Sequence, residues 1–204
     1  MQVAPVNPYS DAVRQFMQAF RQPFPSDDAP THANRSRMLS EEVNELKAAR
    51  RKVDILDALM DMWYVAEGGI LEWGIDSNDA HLIALMTSEL HQPYAVAIPT
   101  TLNEAKLFYG ATLFFIWDRL ATYFPNLDPL KPFEEVHRSN MSKIFPLKTE
   151  FQQDLVKAYN NPSMVDSGLE IIYLADEEGA IVKLKNKVQK PGSYSPADLT
   201  QFLK

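Results

Sequence analysis

Two pairs of carboxylates stand out for what they could do together. Glu42-x-x-Glu45 lies in the run SEEVNEL, and Asp57-x-x-x-Asp61 follows in LDALMDMWYV. Residues three or four apart share one face of a helix, so each pair presents two acids side by side. The second pair sits among Ile55, Leu56, Ala58, Leu59, Met60, Met62, Trp63, Tyr64 and Val65, nearly all apolar. Carboxylates in such company must be paired, protonated or metal-bound. Acids from two adjacent helices without a nearby histidine are the donor set that hard Mg²⁺ or Mn²⁺ prefers.

The helices must bring these pairs together. Val13, Phe16, Met17 and Phe20 predict an amphipathic helix over 10–22 with Ser10 as its cap. Pro23, Pro25 and Pro30 are expected to end it and keep the next stretch extended. A second helix is predicted from about Arg35 to Ala49, with Met38, Leu39, Val43 and Leu46 on one side and Glu41, Glu42 and Glu45 on the other. Continued straight into the next segment, it would leave Glu45 and Asp57 about 18 Å apart at 1.5 Å per residue. A turn near Arg50–Val53 repairs this, with Asp54 as N-cap and Asp57 in a capping-box relation. Folding the chain between Arg51 and Lys52 puts Glu42 level with Asp61, and Glu45 level with Asp57 and Ala58. That arrangement favours Asp57 and Asp61 as metal ligands, with Asp54 as a cap or a group behind them.

The third helix is expected to reach Trp73, with Gly74 as C-cap and Gly68-Gly69 admitting the close approach of another backbone. A shorter helix at about Asn78–His91 and a long one at about Asn103–Phe124 follow. The latter is apolar over more than one face and so is expected to be central or to lie in an oligomer interface. FEEVHRSNMSKIF reads as a short helix, and Thr149–Asn160 as a polar helical stretch. Leu169–Leu174 and Ala180–Lys185 then alternate as a β-hairpin about a turn at 176–179. The expected architecture is all-α, a helical bundle with a small C-terminal β-hairpin appendage. One helical domain would span 1–150, with a helical insertion at about 77–132, and the C-terminal part 151–204 would pack on it.

Composition narrows the function classes. The 204 residues are 46% apolar with a net charge of −7, enough for a sizeable core and contrary to a general nucleic-acid binder. The absence of cysteine excludes disulfides and thiolate chemistry. The start, MQVAPVNPYSDAVRQF, lacks the pattern of a signal peptide, and no run is apolar and long enough to span a membrane. A soluble cytoplasmic protein is expected, without nucleic-acid or membrane partners.

Four stretches, VRQFMQAFRQPFP at 13–25, RSRMLSEEVNEL at 35–46, DILDALMDMWYVAEGGILEWGID at 54–76 and FEEVHRSNMSK at 133–143, together resemble the MazG-like all-α nucleoside triphosphate pyrophosphohydrolases. The likeness is to a bacterial and phage branch related to the phosphoribosyl-ATP pyrophosphohydrolases, and it covers roughly half the chain. NKVQKPGSYSPADL at 186–199 is similar to the finish of that branch. The resemblance implies cleavage of a (d)NTP between its α and β phosphates to a monophosphate and pyrophosphate, in nucleotide-pool cleaning or phage nucleotide metabolism. It also implies Mg²⁺ on an ExxE plus ExxD cluster, and a homo-oligomer, dimer or tetramer, in the host cytoplasm if phage-encoded.

Carried onto this chain, the ExxE positions are Glu42 and Glu45, with Glu41 beside them. The ExxD element is either Asp57 and Asp61, with Ala58 where Glu is usual, or Asp54-x-x-Asp57. Glu41 or Glu45 is the candidate general base. Asn140 and Lys143, three apart on one helical face, and the tail residues Lys187, Lys190 and Tyr194 are the candidates to bind substrate. Read alone, Glu41, Glu42 and Glu45 would be a solvated helix face and the two aspartates a cap and an ion-paired acid. The rival class is a catalytically inactive helical module that binds a nucleotide or a protein. No feature distinguishes one base from another.

Overall fold

The computed structural model describes residues 7–26, 29–79, 98–149, 152–153, 168–174, 178–184 and 187–203, without the side chains of 29–31 and 187. The chain forms two compact units, Met1–Val136 with Asp198–Lys204, and His137–Ala197. Helices α1 (Pro8–Ala19), α2 (Ala29–Ala48), α3 (Lys52–Glu72) and α4 (Leu102–Tyr123) belong to the first. Helix α5 (Leu130–Met141) carries the chain into the second. The expected helix at Asn78–His91 falls almost wholly outside the described residues, as does most of Thr149–Asn160.

Helix α3 is the axis of the first unit, and α1, α2, α4 and a 3-10 turn at Leu199–Phe202 all pack on it. From Met62 to Glu72 every residue is buried. Over this stretch the helix is therefore core all round, and its two acids, Glu67 and Glu72, are buried with the apolar residues. Helix α4 buries Ala105, Phe108, Tyr109, Leu113, Ile116 and Leu120, while Leu107 and Trp117 remain exposed.

Several helix starts differ from the sequence expectation. Helix α1 is capped by Asn7, whose side chain accepts the N–H groups of Tyr9 and Ser10, and Ser10 is instead buried with its hydroxyl on Glu67. Helix α2 begins at Ala29, so Pro30 lies within its first turn, where the missing N–H costs nothing. Helix α3 begins at Lys52 after the N-cap Arg51, and Asp54 occupies the third helical position, accepting the Arg51 N–H at 3.3 Å. Half of a capping box forms, with Asp54 accepting the Arg51 N–H three residues earlier than expected, and Asp57 has no part in it. At the other end Gly74 takes the left-handed conformation, φ +63°, that ends the helix.

The two internal glycines make room for side chains rather than for a backbone. A Cβ at Gly68 would fall 2.6 Å from the Arg35 guanidinium, and one at Gly69 would fall 2.1 Å from the Tyr109 ring. Arg35 donates from Nε at 3.0 Å and from its terminal nitrogen at 2.5 Å to the buried Glu72 carboxylate, and at 3.2 Å to Gln22. This pair fastens α2 to the C-terminal half of α3.

In the second unit, β2 (Leu169–Tyr173) and β3 (Gly179–Leu184) form the expected antiparallel hairpin, with Leu169 opposite Leu184 and Tyr173 opposite Ala180. Two short strands extend it: β1 (Phe145–Pro146) and β4 (Lys187–Val188) each pair with β3. Phe145, Leu147, Leu169, Ala180 and Val182 make its core.

Removing Arg35 as Arg35→Ala should cost about 3–5 kcal/mol, because Glu72 is left buried without its partner. Gly69→Ala should cost about 1–3 kcal/mol through the clash with Tyr109, whereas Gly192→Ala, with nothing within 4 Å, should stay within about 0.5 kcal/mol of wild type. Urea unfolding measures all three.

Candidate active site

The connection between α2 and α3 is only Ala49–Arg51, so the helices fold back on one another and pack closely. Their carboxylates meet along this seam. Glu42 is half-buried and feels Asp61 most strongly among its acidic neighbours, then Glu45, Asp57 and Glu41. Loss of water first, and these charges second, push the Glu42 carboxyl from 4.5 up to about 8. Asp57 is raised as well, by desolvation and by Glu45 and Asp54. The level-matching drawn from the sequence, Glu42 with Asp61 and Glu45 with Asp57, is the proximity that these couplings report.

The remaining acids on the seam are not equivalent. Asp54 is engaged by the Arg51 guanidinium at 2.5 and 2.8 Å, and this hydrogen bonding holds its carboxyl below the ordinary range. Glu41 is paired with Arg37, which also donates to Asn34 at 2.8 Å. Glu45 is exposed and has no hydrogen-bond or ion-pair partner among the described residues. Ala58 is 3% exposed, so a glutamate there would be buried, whereas Asp57 beside it is at the surface.

The donor set suits a hard divalent cation, being all carboxylate, mutually repelling and partly desolvated. No group of three or more His, Asp or Glu side chains among the described residues is arranged to hold an ion as it stands. A cation would have to draw the carboxylates together by side-chain rotation, against the repulsion that now keeps them apart.

The substrate-binding candidates lie in the second unit. Lys143 donates to Asn140 at 2.5 Å, the Lys190 ammonium sits 4.4 Å over the Tyr194 ring, and the Tyr194 hydroxyl is 3.2 Å from Ser139. Arg138 donates to the Pro196 carbonyl at 3.0 Å. Four of the five candidates thus converge around the end of α5, and the fifth, Lys187, has its side chain outside the described residues. Arg35 and Arg37, two cations before the acidic turn, are each committed to a carboxylate.

Two buried acids escaped the sequence reading. Glu67 is fully buried, accepting from Ser10 at 2.5 Å and from Trp63 Nε1 at 3.1 Å, and Glu72 takes Arg35. The signal was available, since both stand in the apolar run WYVAEGGILEW and meet the same test applied to Asp57 and Asp61.

Residues 13–82 match the family described as phosphoribosyl-ATP pyrophosphohydrolase, and this segment takes in α2, α3 and every carboxylate of the seam. Over that segment the chain resembles an all-α, pyrophosphohydrolase-type domain of the MazG-like superfamily. Within that superfamily the match falls on the phosphoribosyl-ATP pyrophosphohydrolase branch, over about a third of the chain. No curated protein and no solved structure matches it. Enzymes of this family are generally divalent-cation dependent. Among the described residues no helix is long and apolar enough to cross a membrane.

The raised Glu42 carboxyl sets the pH response of the metal-free protein. Its folded value, about 8, exceeds the ordinary 4.5, so between these the folded state binds more protons and stability falls as pH rises. Thermal melts in EDTA should show Tm decreasing over that window, and Glu42→Gln should flatten the decrease.

Proposed function

We propose that the protein is a metal-dependent nucleoside triphosphate pyrophosphohydrolase that cleaves a (d)NTP between its α and β phosphates. The observation that carries the reading is the seam itself, where acids from two facing helices raise one another's affinity for positive charge. A triphosphate cannot approach such a surface without cations. Mg²⁺, or Mn²⁺, held by Glu42, Glu45, Asp57 and Asp61 would neutralise the phosphates and acidify a bound water.

The chain's own residues supply the rest. Glu45, without a competing partner among the described residues, takes the proton of the attacking water as general base. Glu41 is the weaker candidate, since its carboxylate is already occupied by the Arg37 guanidinium. Lys143, Lys190 and Tyr194, with Asn140 holding the Lys143 ammonium, offer positive charge and hydrogen bonds to the phosphates. Asp54, tied into the Arg51 cap, keeps the first turn of α3 in place behind Asp57.

Release of pyrophosphate and monophosphate, measured with Mg²⁺ across the canonical (d)NTPs, tests the reading and finds the base. Glu45→Gln and Asp61→Asn should abolish turnover with the fold intact by circular dichroism. Asp57→Asn should cost about a hundredfold or more and Asp54→Asn about tenfold or less, because only the first removes a ligand. Undiminished turnover in both Glu45→Gln and Asp61→Asn would refute the assignment. A folded wild-type protein that binds nucleotide yet never releases pyrophosphate would instead identify a binding module.

A further inference from the structure

A cleft of about 500 Å³ opens in the first unit, away from the carboxylates. Lys52, Lys131, Tyr123, Asn126, Asp128 and Phe202 line it, from the start of α3, the turn after α4, the start of α5 and the C-terminal 3-10 turn. Its volume is that of an ordinary small-ligand pocket. Asp57 is five residues beyond Lys52, about 140° further round the helix, and Asp61 is about 180° round, so cleft and seam use different faces of α3.

The lining has a consistent chemistry. In a chain of net charge −7, two lysines border the same cleft, and neither has an ion-pair partner among the described residues. The one acid in the lining, Asp128, accepts the Leu130 N–H at 3.2 Å just before α5. Tyr123 is 41% exposed, and the Phe202 ring is half-buried beside it in the lining, so apolar ring surface is available to a planar group. Asn126 is exposed and offers both an amide donor and an acceptor. With Asp128 counted the lining is net positive by one charge, so its two ammonium groups suit a phosphate monoester, and the aromatic and amide groups suit a nucleobase.

We propose that this cleft is a second nucleotide site, which takes a nucleoside monophosphate without a metal ion. Lys52 and Lys131 hold its phosphate, and the base lies against Tyr123 or Phe202 within reach of Asn126. The ligand class is that of the product in the hydrolysis reading, so the site would let product occupy the enzyme apart from the carboxylates. The identity of the ligand as product rests on that reading, whereas the binding itself does not.

The test is calorimetric titration of the full chain with AMP in EDTA, where the carboxylate seam repels phosphate. Saturable binding is expected, weakened by about tenfold or more in Lys52→Glu and in Lys131→Glu, with melting curves showing both variants folded. Asp61→Asn should bind AMP as wild type does. Ribose 5-phosphate should bind about fivefold or more weakly than AMP, because it lacks the base that stacks. No saturable binding up to about 5 mM AMP, survival of binding in both lysine variants, or its loss in Asp61→Asn would each overturn the proposal. Ribose 5-phosphate binding as tightly as AMP would overturn the base contact. Since the titration contains no divalent cation and reads no turnover, its failure would leave the hydrolysis reading standing.

Discussion

The buried ion pair between Arg35 and Glu72 is what the arrangement of α2 on α3 depends on. Removing two charges from water is expensive, and the cost is offset here because Glu72 receives two N–H donors from one guanidinium. The planar fork fixes orientation as well as distance. At the opposite end of the helix pair, the three-residue connection and the Arg51–Asp54 cap fix the other register point. Glu42, Glu45, Asp57 and Asp61 lie between these two clamps, so helices that their charges would push apart are held together. Gly68 belongs to the same device, because any side chain there would displace the guanidinium.

The acids of the first unit then divide by how their charge is met. Glu67 and Glu72 are buried and paired, the first with a serine hydroxyl and an indole N–H on separate oxygens, the second with arginine on Oε1 while Oε2 is buried without a partner among the described residues. The seam acids have mostly one another, and the consequence is a Glu42 carboxyl raised to about 8. Burial with a partner builds the core, whereas clustering with other carboxylates leaves a surface poised for protons or cations. That contrast separates the paired carboxylates in the C-terminal half of α3 from the clustered ones nearer its start.

Much of the helical frame was legible from periodicity, because α3 and α4 are long and their apolar content is dense. The details that failed were local. Ser10 has the chemistry of a cap, but Glu67 claims its hydroxyl from 57 positions away, and Asn7 takes the cap instead. Pro30 reads as a breaker, yet a proline in the first turn of a helix forfeits only an N–H that has no helical partner. Gly68-Gly69 announced a close approach correctly, and nothing nearby in sequence could say that an arginine and a tyrosine make it. The strands added to the hairpin, β1 and β4, are two residues each and too short for alternation to register.

Glu42 and Glu45 on one helical face, Asp57 and Asp61 on another, and the need for a turn between them follow from spacing alone, because helical geometry is local. How far each acid is desolvated, and which carboxylates crowd it, follows only from the folded chain. Arg37–Glu41 and Arg51–Asp54 are local pairs, four and three residues apart, whereas the burial of Ala58 and the crowding of Glu42 by Asp61 need the packed helices. Desolvation and repulsion across the seam are properties of neighbours, and those neighbours come together only when α2 packs against α3.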